Sequence, residues 1–170
     1  FGQSGLEGDP SSYDYGVETV LQREFAESGK PVESIEDFGR VMYGLFRVDD
    51  APIINELDMR LRRWRGKTLD GLYAPETQAL TGDGYWEMEH SWARGEVEED
   101  FDLGFGGGKI AEAFNDVLLD RRNTQWAAWL DNRLEQPGTV LLAVGAGHFE
   151  GPDSVLVKLA ERGLEAERIN

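Results

Sequence analysis

The chain has 170 residues, a length that suits one compact domain, residues 1–170, around one core. Lys and Arg total 17 against 33 Asp and Glu, a formal charge of −16, which argues against nucleic-acid and anionic-lipid binding, both of which run on clustered Lys and Arg. A hydrophobic fraction of 40% with five Trp separates the chain from disordered acidic tails. Zero Cys removes disulfides and thiol chemistry, and no apolar run reaches the length of a membrane span.

Phe1 to Tyr15 is rich in Gly, Ser and Pro without an apolar period, and reads as an exposed lead-in. A start at Phe1 with no signal-peptide pattern is expected of a processed or truncated product. Val17, Val20, Leu21 and Phe25 follow helical spacing, and Gly29 with Pro31 predicts the stop. Pro31 to Glu36 is short and branched, sits between helical patterns, and predicts a brief strand with Glu36 at its C-terminal end. Asp37 to Val48 and Ala51 to Arg65 predict two amphipathic helices forming a hairpin. Gly66 to Gly82 reads as loop, and Tyr85 to Arg94 as a further helix before an acidic run. The glycine-rich stretch from Gly104 to Gly108 opens the longest helical pattern, Lys109 to Leu134, which Pro137-Gly138 ends.

Thr139 to Val144 is a continuous apolar, branched run, the pattern of a strand covered on both faces. Gly145-Ala146-Gly147-His148 is its turn. A helix through Val155 and Leu159, capped by Asp153 or Ser154 and ended by Gly163, then a strand from Leu164 to Ile169, complete a predicted βαβ unit. The expected fold class is therefore α/β, helix-rich with a small parallel sheet that includes a C-terminal βαβ unit.

In such sheets ligands bind beyond the carboxyl ends of the strands, where this pattern delivers Glu36 and His148. His148 leaves its strand through a turn whose Gly145 and Gly147 allow close approach, and it reads either as a site residue or as a surface loop histidine. Glu36 reads either as a site carboxylate or as an acid at the start of the next helix. Helical phase places Arg122 in an apolar stripe with Phe114, Leu118, Trp126 and Trp129. A guanidinium there either snorkels to water or holds a carboxylate, Glu18 or Glu36. A lone Glu87-x-x-His90 lacks the second copy that a two-metal helical site needs, and the glycine run before Lys109 lacks phosphate-loop spacing.

Arg122-Asn123 with Trp126, then Val140 to Val144, Gly145-Ala146-Gly147-His148 and Gly151, resemble the C-terminal half of the TraB/GumN family, which includes the Tiki metalloproteases. Upstream, Gly16-Val17-Glu18, Ala26, Gly29-Lys30 and Ile35-Glu36 are similar to that family's Gly-Val-Glu helix, Gly-Lys turn and Leu-Glu pair, with Ile35 for Leu. Trp92 to Glu96 resembles its Trp-x-x-Gly-Asp segment, with Glu96 for Asp.

The resemblance implies a fold like that of erythromycin esterase and the haem-binding ChaN proteins. It also implies a metal-dependent, peptidase-like hydrolase in the periplasm or cell envelope. In that reading His148 and Glu36 help hold a divalent ion such as manganese, cobalt or zinc. Arg122 orients the carboxylate, and Glu18, Asn123, Gly145 and Gly147 support the site. The substrate would be a small molecule or a peptide. Nothing in Phe1 to Tyr15 matches the family's opening strand with its Gly-Thr-x-His element, so an upstream segment or a second copy is expected to complete the site. The alternative is a non-catalytic envelope or polysaccharide-related binding protein using the same cleft.

Overall fold

The structure is a computed structural model that describes residues 16–66, 87, 90–96 and 108–169. The expected lead-in, the loop from Gly66 to Gly82 beyond its first residue, most of the acidic run and the glycine stretch before Gly108 lie outside the described residues. So do parts of the predicted helix from Tyr85 to Arg94.

The chain divides into two compact units, one of residues 1–35 with 141–143 and one of residues 36–140 with 144–170. In the first, α1 (Val17–Glu27) ends as the sequence predicts. Gly29 takes the left-handed conformation with φ 67. The Gly29 N–H donates to the Ala26 carbonyl at 3.1 Å and the Lys30 N–H to the Phe25 carbonyl at 2.9 Å. These two bonds close a Schellman turn and satisfy the carbonyls the helix end leaves over.

The second unit holds the rest. Asp37 caps α2 (Phe38–Phe46), its carboxylate accepting from the Gly39 N–H at 2.8 Å. Asp49 likewise caps α3 (Asp50–Arg63), accepting from the Ala51 N–H at 3.1 Å. Such short acidic side chains meet the orphan N–H groups of a first turn. The predicted helix from Lys109 to Leu134 forms over its whole length but not as one α-helix. It comprises α4 (Lys109–Asn115), a π-helical turn (Asp116–Asp120) and α5 (Arg121–Leu134). Across the turn the Arg121 N–H donates to the Asp116 carbonyl, five residues back. Ser154 caps α6 (Val155–Ala160), which Gly163 ends in a second Schellman turn: the Leu164 N–H donates to the Leu159 carbonyl at 3.0 Å.

The expected sheet is not there. Among the described residues no strand is present, and the segments predicted as strands, Pro31 to Glu36, Thr139 to Val144 and Leu164 to Ile169, run without a hydrogen-bonded ladder. The βαβ unit therefore reduces to its helix, α6. The physical reason is that a helix satisfies its backbone groups within its own segment, whereas an apolar extended run becomes a strand only beside a partner. Val140 and Leu141, predicted to be covered on both faces, are exposed. The core is instead helical: among the described residues Ala111, Val117, Leu119, Trp126, Ala127 and Val155 are its buried apolar side chains, with α5 packed on α6.

One long-range anchor fixes how α3 meets α4. Glu56 of α3, 9% exposed, accepts from the Ile110 N–H at 3.1 Å and from Arg60. Burial alone would raise its pKa, but the bonds from Arg60 and from the Ile110 and Lys109 N–H groups outweigh that and hold it below the usual value. Gly108, at φ 89, sits against this carboxylate: a Cβ there would lie 2.5 Å from Glu56 Oε1. Gly108→Ala therefore meets both a left-handed backbone and a fixed carboxylate. It is expected to lower the unfolding free energy by about 2 kcal/mol, read from the urea midpoint.

Candidate functional site

The site is built on the first two turns of α5. Asn123, Trp126 and Ala127, at helical spacings of three and four, are the buried stripe of this helix. Arg122 lies one position aside, one turn before Trp126, so its guanidinium stacks over the Trp126 ring with Cζ 5.0 Å from the centroid. Its side chain is 22% exposed and grips Glu36, itself 23% exposed. Arg122 Nη2 donates to Glu36 Oε1 at 2.7 Å and Arg122 Nε to Oε2 at 2.9 Å, while Nη1 donates to the Leu118 carbonyl at 3.0 Å. Trp126 Nε1 adds a bond to Glu36 Oε2 at 3.2 Å.

Of the two carboxylates expected for Arg122, Glu36 is thus its partner; Glu18 is exposed in the first turn of α1. The helix-start reading of Glu36 fails for a local reason: the neighbouring Asp37 takes the cap, which leaves Glu36 turned to α5.

His148 closes a short 3₁₀ turn (Ala146–His148), its N–H donating to the Gly145 carbonyl at 3.0 Å. It is no surface loop residue, being 9% exposed. Its ring lies 4.3 Å from the Trp126 ring, centroid to centroid, tilted by 44°. Nδ1 is 2.7 Å from Asn123 Oδ1, and Asn123 Nδ2 donates to the Asp153 carbonyl at 2.7 Å. A Cβ on Gly145 would meet nothing within 4 Å, so the approach to the turn is open there. Burial, with a smaller push from the Arg122 charge, lowers the His148 pKa to about 4; Glu36 pulls the other way. The imidazole is neutral at pH 7.

Glu36, Arg122, Asn123 and His148 therefore form one connected network, although no sheet edge carries it. The sequence pattern does not assign the polar roles of Trp126 and of the Asp153 carbonyl. For Trp126 a signal exists: its indole N–H, one turn from a stripe arginine, has to find an acceptor when buried. For a backbone carbonyl 30 residues from Asn123 there is none. Lys158 of α6 is a further residue that the pattern leaves unassigned. It joins Asp120 of the π turn at 2.6 Å and Asp153 at 3.4 Å, and so ties the loop before α6 to the α5 side of the site.

Among known proteins, the profile of the TraB/PrgY/gumN family matches residues 3–168. The chain belongs to this family. No curated protein and no solved structure gives a significant match.

In this family member the Arg122–Glu36 pair is bidentate yet partly wet, between a fully buried pair and a surface one. Arg122→Ala, which leaves Glu36 without its cation, is expected to cost about 2 kcal/mol in urea unfolding. The low His148 pKa carries a pH signature. Between about 4 and the ordinary 6.5 the unfolded chain binds a proton that the folded chain does not, so this residue's contribution to stability falls as pH drops through that window. The stability difference between wild type and His148→Gln should accordingly shrink from pH 7 to pH 4. A constant difference would show that His148 is not held neutral.

Proposed function

We propose that this chain carries a peptidase-like hydrolase site centred on His148, in a protein of the bacterial envelope. The observation that carries the reading is the pairing of a buried, neutral imidazole with a fixed cation. His148 has a second ring nitrogen, Nε2, with no hydrogen-bond partner among the described residues, and Nε2 is not among their atoms sealed from solvent. Arg122 spends three of its five N–H donors on Glu36 and Leu118, and the remaining two, on Nη1 and Nη2, meet no hydrogen-bond acceptor among the described residues.

An unprotonated imidazole nitrogen accepts a proton or binds an electrophile, and a guanidinium with spare donors steadies a carbonyl oxygen or a carboxylate as charge develops on it. Glu36 and Trp126 act on the geometry. The first holds Arg122 by two bonds, and the second bears on the His148 ring. A scissile peptide or ester of a small molecule suits this pair of groups.

The divalent ion expected from the family resemblance is supported by part of this donor set. A neutral histidine whose far nitrogen is hydrogen-bonded is the usual form of a metal ligand. Glu36 does not fit that role, because both its oxygens accept from Arg122 and its charge is matched there. Among the described residues no group of three His, Asp or Glu comes together, so by themselves they supply fewer donors than the three or more a divalent site takes.

Two measurements test the proposal. In the full gene product, assayed on peptide and ester panels, His148→Gln should lower kcat/KM by about 100-fold or more with the unfolding midpoint retained. Full activity in that variant would overturn the site. Calorimetric titration of the 170-residue chain with manganese, cobalt and zinc should give no tight stoichiometric binding. Such binding would show that further residues of the chain complete a metal site, and would overturn the metal-free reading of the isolated chain.

A further inference from the structure

We infer that Asn123 is the positioning residue that decides which nitrogen of His148 is reactive: its amide oxygen holds the proton on Nδ1 and leaves Nε2 as the bare acceptor. The consequence for catalysis rests on the hydrolase reading above, whereas the tautomer stands on hydrogen bonds alone.

Asn123 is 0% exposed, so both ends of its amide have to be satisfied inside the protein. One end lies 2.7 Å from the Asp153 carbonyl. A carbonyl only accepts, so the amide nitrogen must face it; the reversed amide would set two acceptors against each other. The other end, 2.7 Å from His148 Nδ1, is then the oxygen. An amide oxygen likewise only accepts, so Nδ1 carries the hydrogen. A neutral imidazole has a single N–H, and Nε2 is left with its lone pair.

The relay holds only while the Asp153 carbonyl stays in place, and three contacts keep it there. Ser154, the next residue, caps α6, its Oγ accepting from the Val157 N–H at 3.4 Å. Val155 is 2% exposed in the core. Lys158, 15% exposed, bridges Asp153 and Asp120. The packing of α6 thus selects the proton position on a histidine that belongs to a different element. The opposite tautomer would present an N–H at Nε2, which can neither take a proton from a nucleophile nor bind an electrophile.

The test separates this lock from the activity. In protein labelled with ¹⁵N-histidine, with signals identified by their loss in His148→Gln, the wild type at pH 7 should show a proton-bearing Nδ1 and a pyridine-type Nε2. Asn123→Leu, which removes the acceptor, should bring the two nitrogens to averaged shifts and lower kcat about tenfold or more with KM little changed. Asn123→Asp keeps an acceptor for Nδ1 but gives up the amide donor to the Asp153 carbonyl, so it should lose stability. Its Nδ1 should stay proton-bearing, and its negative charge should raise the His148 pKa.

A protonated Nε2 in the wild type, or an unchanged tautomer in Asn123→Leu, would overturn the inference. If Asn123→Leu does not fold, the wild-type and Asn123→Asp spectra decide. A locked tautomer alongside a fully active His148→Gln would refute the hydrolase reading and leave the lock standing. An unlocked histidine that is still required for activity would refute the lock alone.

Discussion

The second unit turns on one constraint, a guanidinium set beside the buried stripe of a helix. Arg122 cannot go without an anion at that depth, and the one it takes, Glu36, is 86 residues away in sequence. Satisfying it draws the turn before α2 onto α5. It also gives Trp126 its acceptor, and Trp126 in turn bears on the His148 ring. At roughly a fifth exposed on each side, the pair recovers little net free energy over separated, hydrated ions. Its effect is on geometry: the bidentate grip and the stacked indole leave Arg122 one orientation, and through the indole they restrict the histidine.

The π turn determines which residues share that environment. An uninterrupted α-helix from Lys109 would run one apolar stripe through Phe114, Leu118, Arg122, Trp126 and Trp129. The single residue inserted at Asp116–Asp120 turns everything after it by about 100° relative to everything before. Ala111 is buried before the turn, and Val117 and Leu119 within it. Asn123, Trp126 and Ala127 are buried after it, while Trp129 is exposed. The same insertion sets Asp120 where Lys158 reaches it, so a local defect in the backbone ladder ties the segment before α6 to the site.

What can be read in the sequence follows from how local the information is. Ser154 as a cap, Gly29 and Gly163 as stops, and the register of α1, α2, α3 and α6 depend on neighbours within one turn, and all are visible as residue patterns, whereas the cap of α2 falls on Asp37 and not on Glu36. The predicted strands fail because branched apolar composition at Thr139 to Val144 records a tendency, whereas a strand needs a partner that composition does not name. The site is legible wherever an oddity demands an explanation. An arginine in an apolar stripe implies a carboxylate, and Glu36 is one of the two candidates. Asn123 is reached only through the family resemblance, although an amide in a buried stripe carries the same kind of demand. Its partner, a main-chain carbonyl, leaves no trace in residue identity.

The charge pattern around His148 explains how such a site can be both buried and orderly. Arg122 pushes the imidazole towards neutrality and Glu36 pulls it back, but these two are bound to each other, so their fields largely cancel at the ring and burial decides the outcome. A neutral ring has two tautomers of similar energy, and the surrounding charges choose weakly between them; a directed hydrogen bond chooses strongly. Glu36 cannot both neutralise Arg122 and give its charge to a metal ion, since a divalent cation drawn to it would compete with the guanidinium for the same oxygens. The carboxylate therefore belongs to the scaffold, where it holds Arg122 in place.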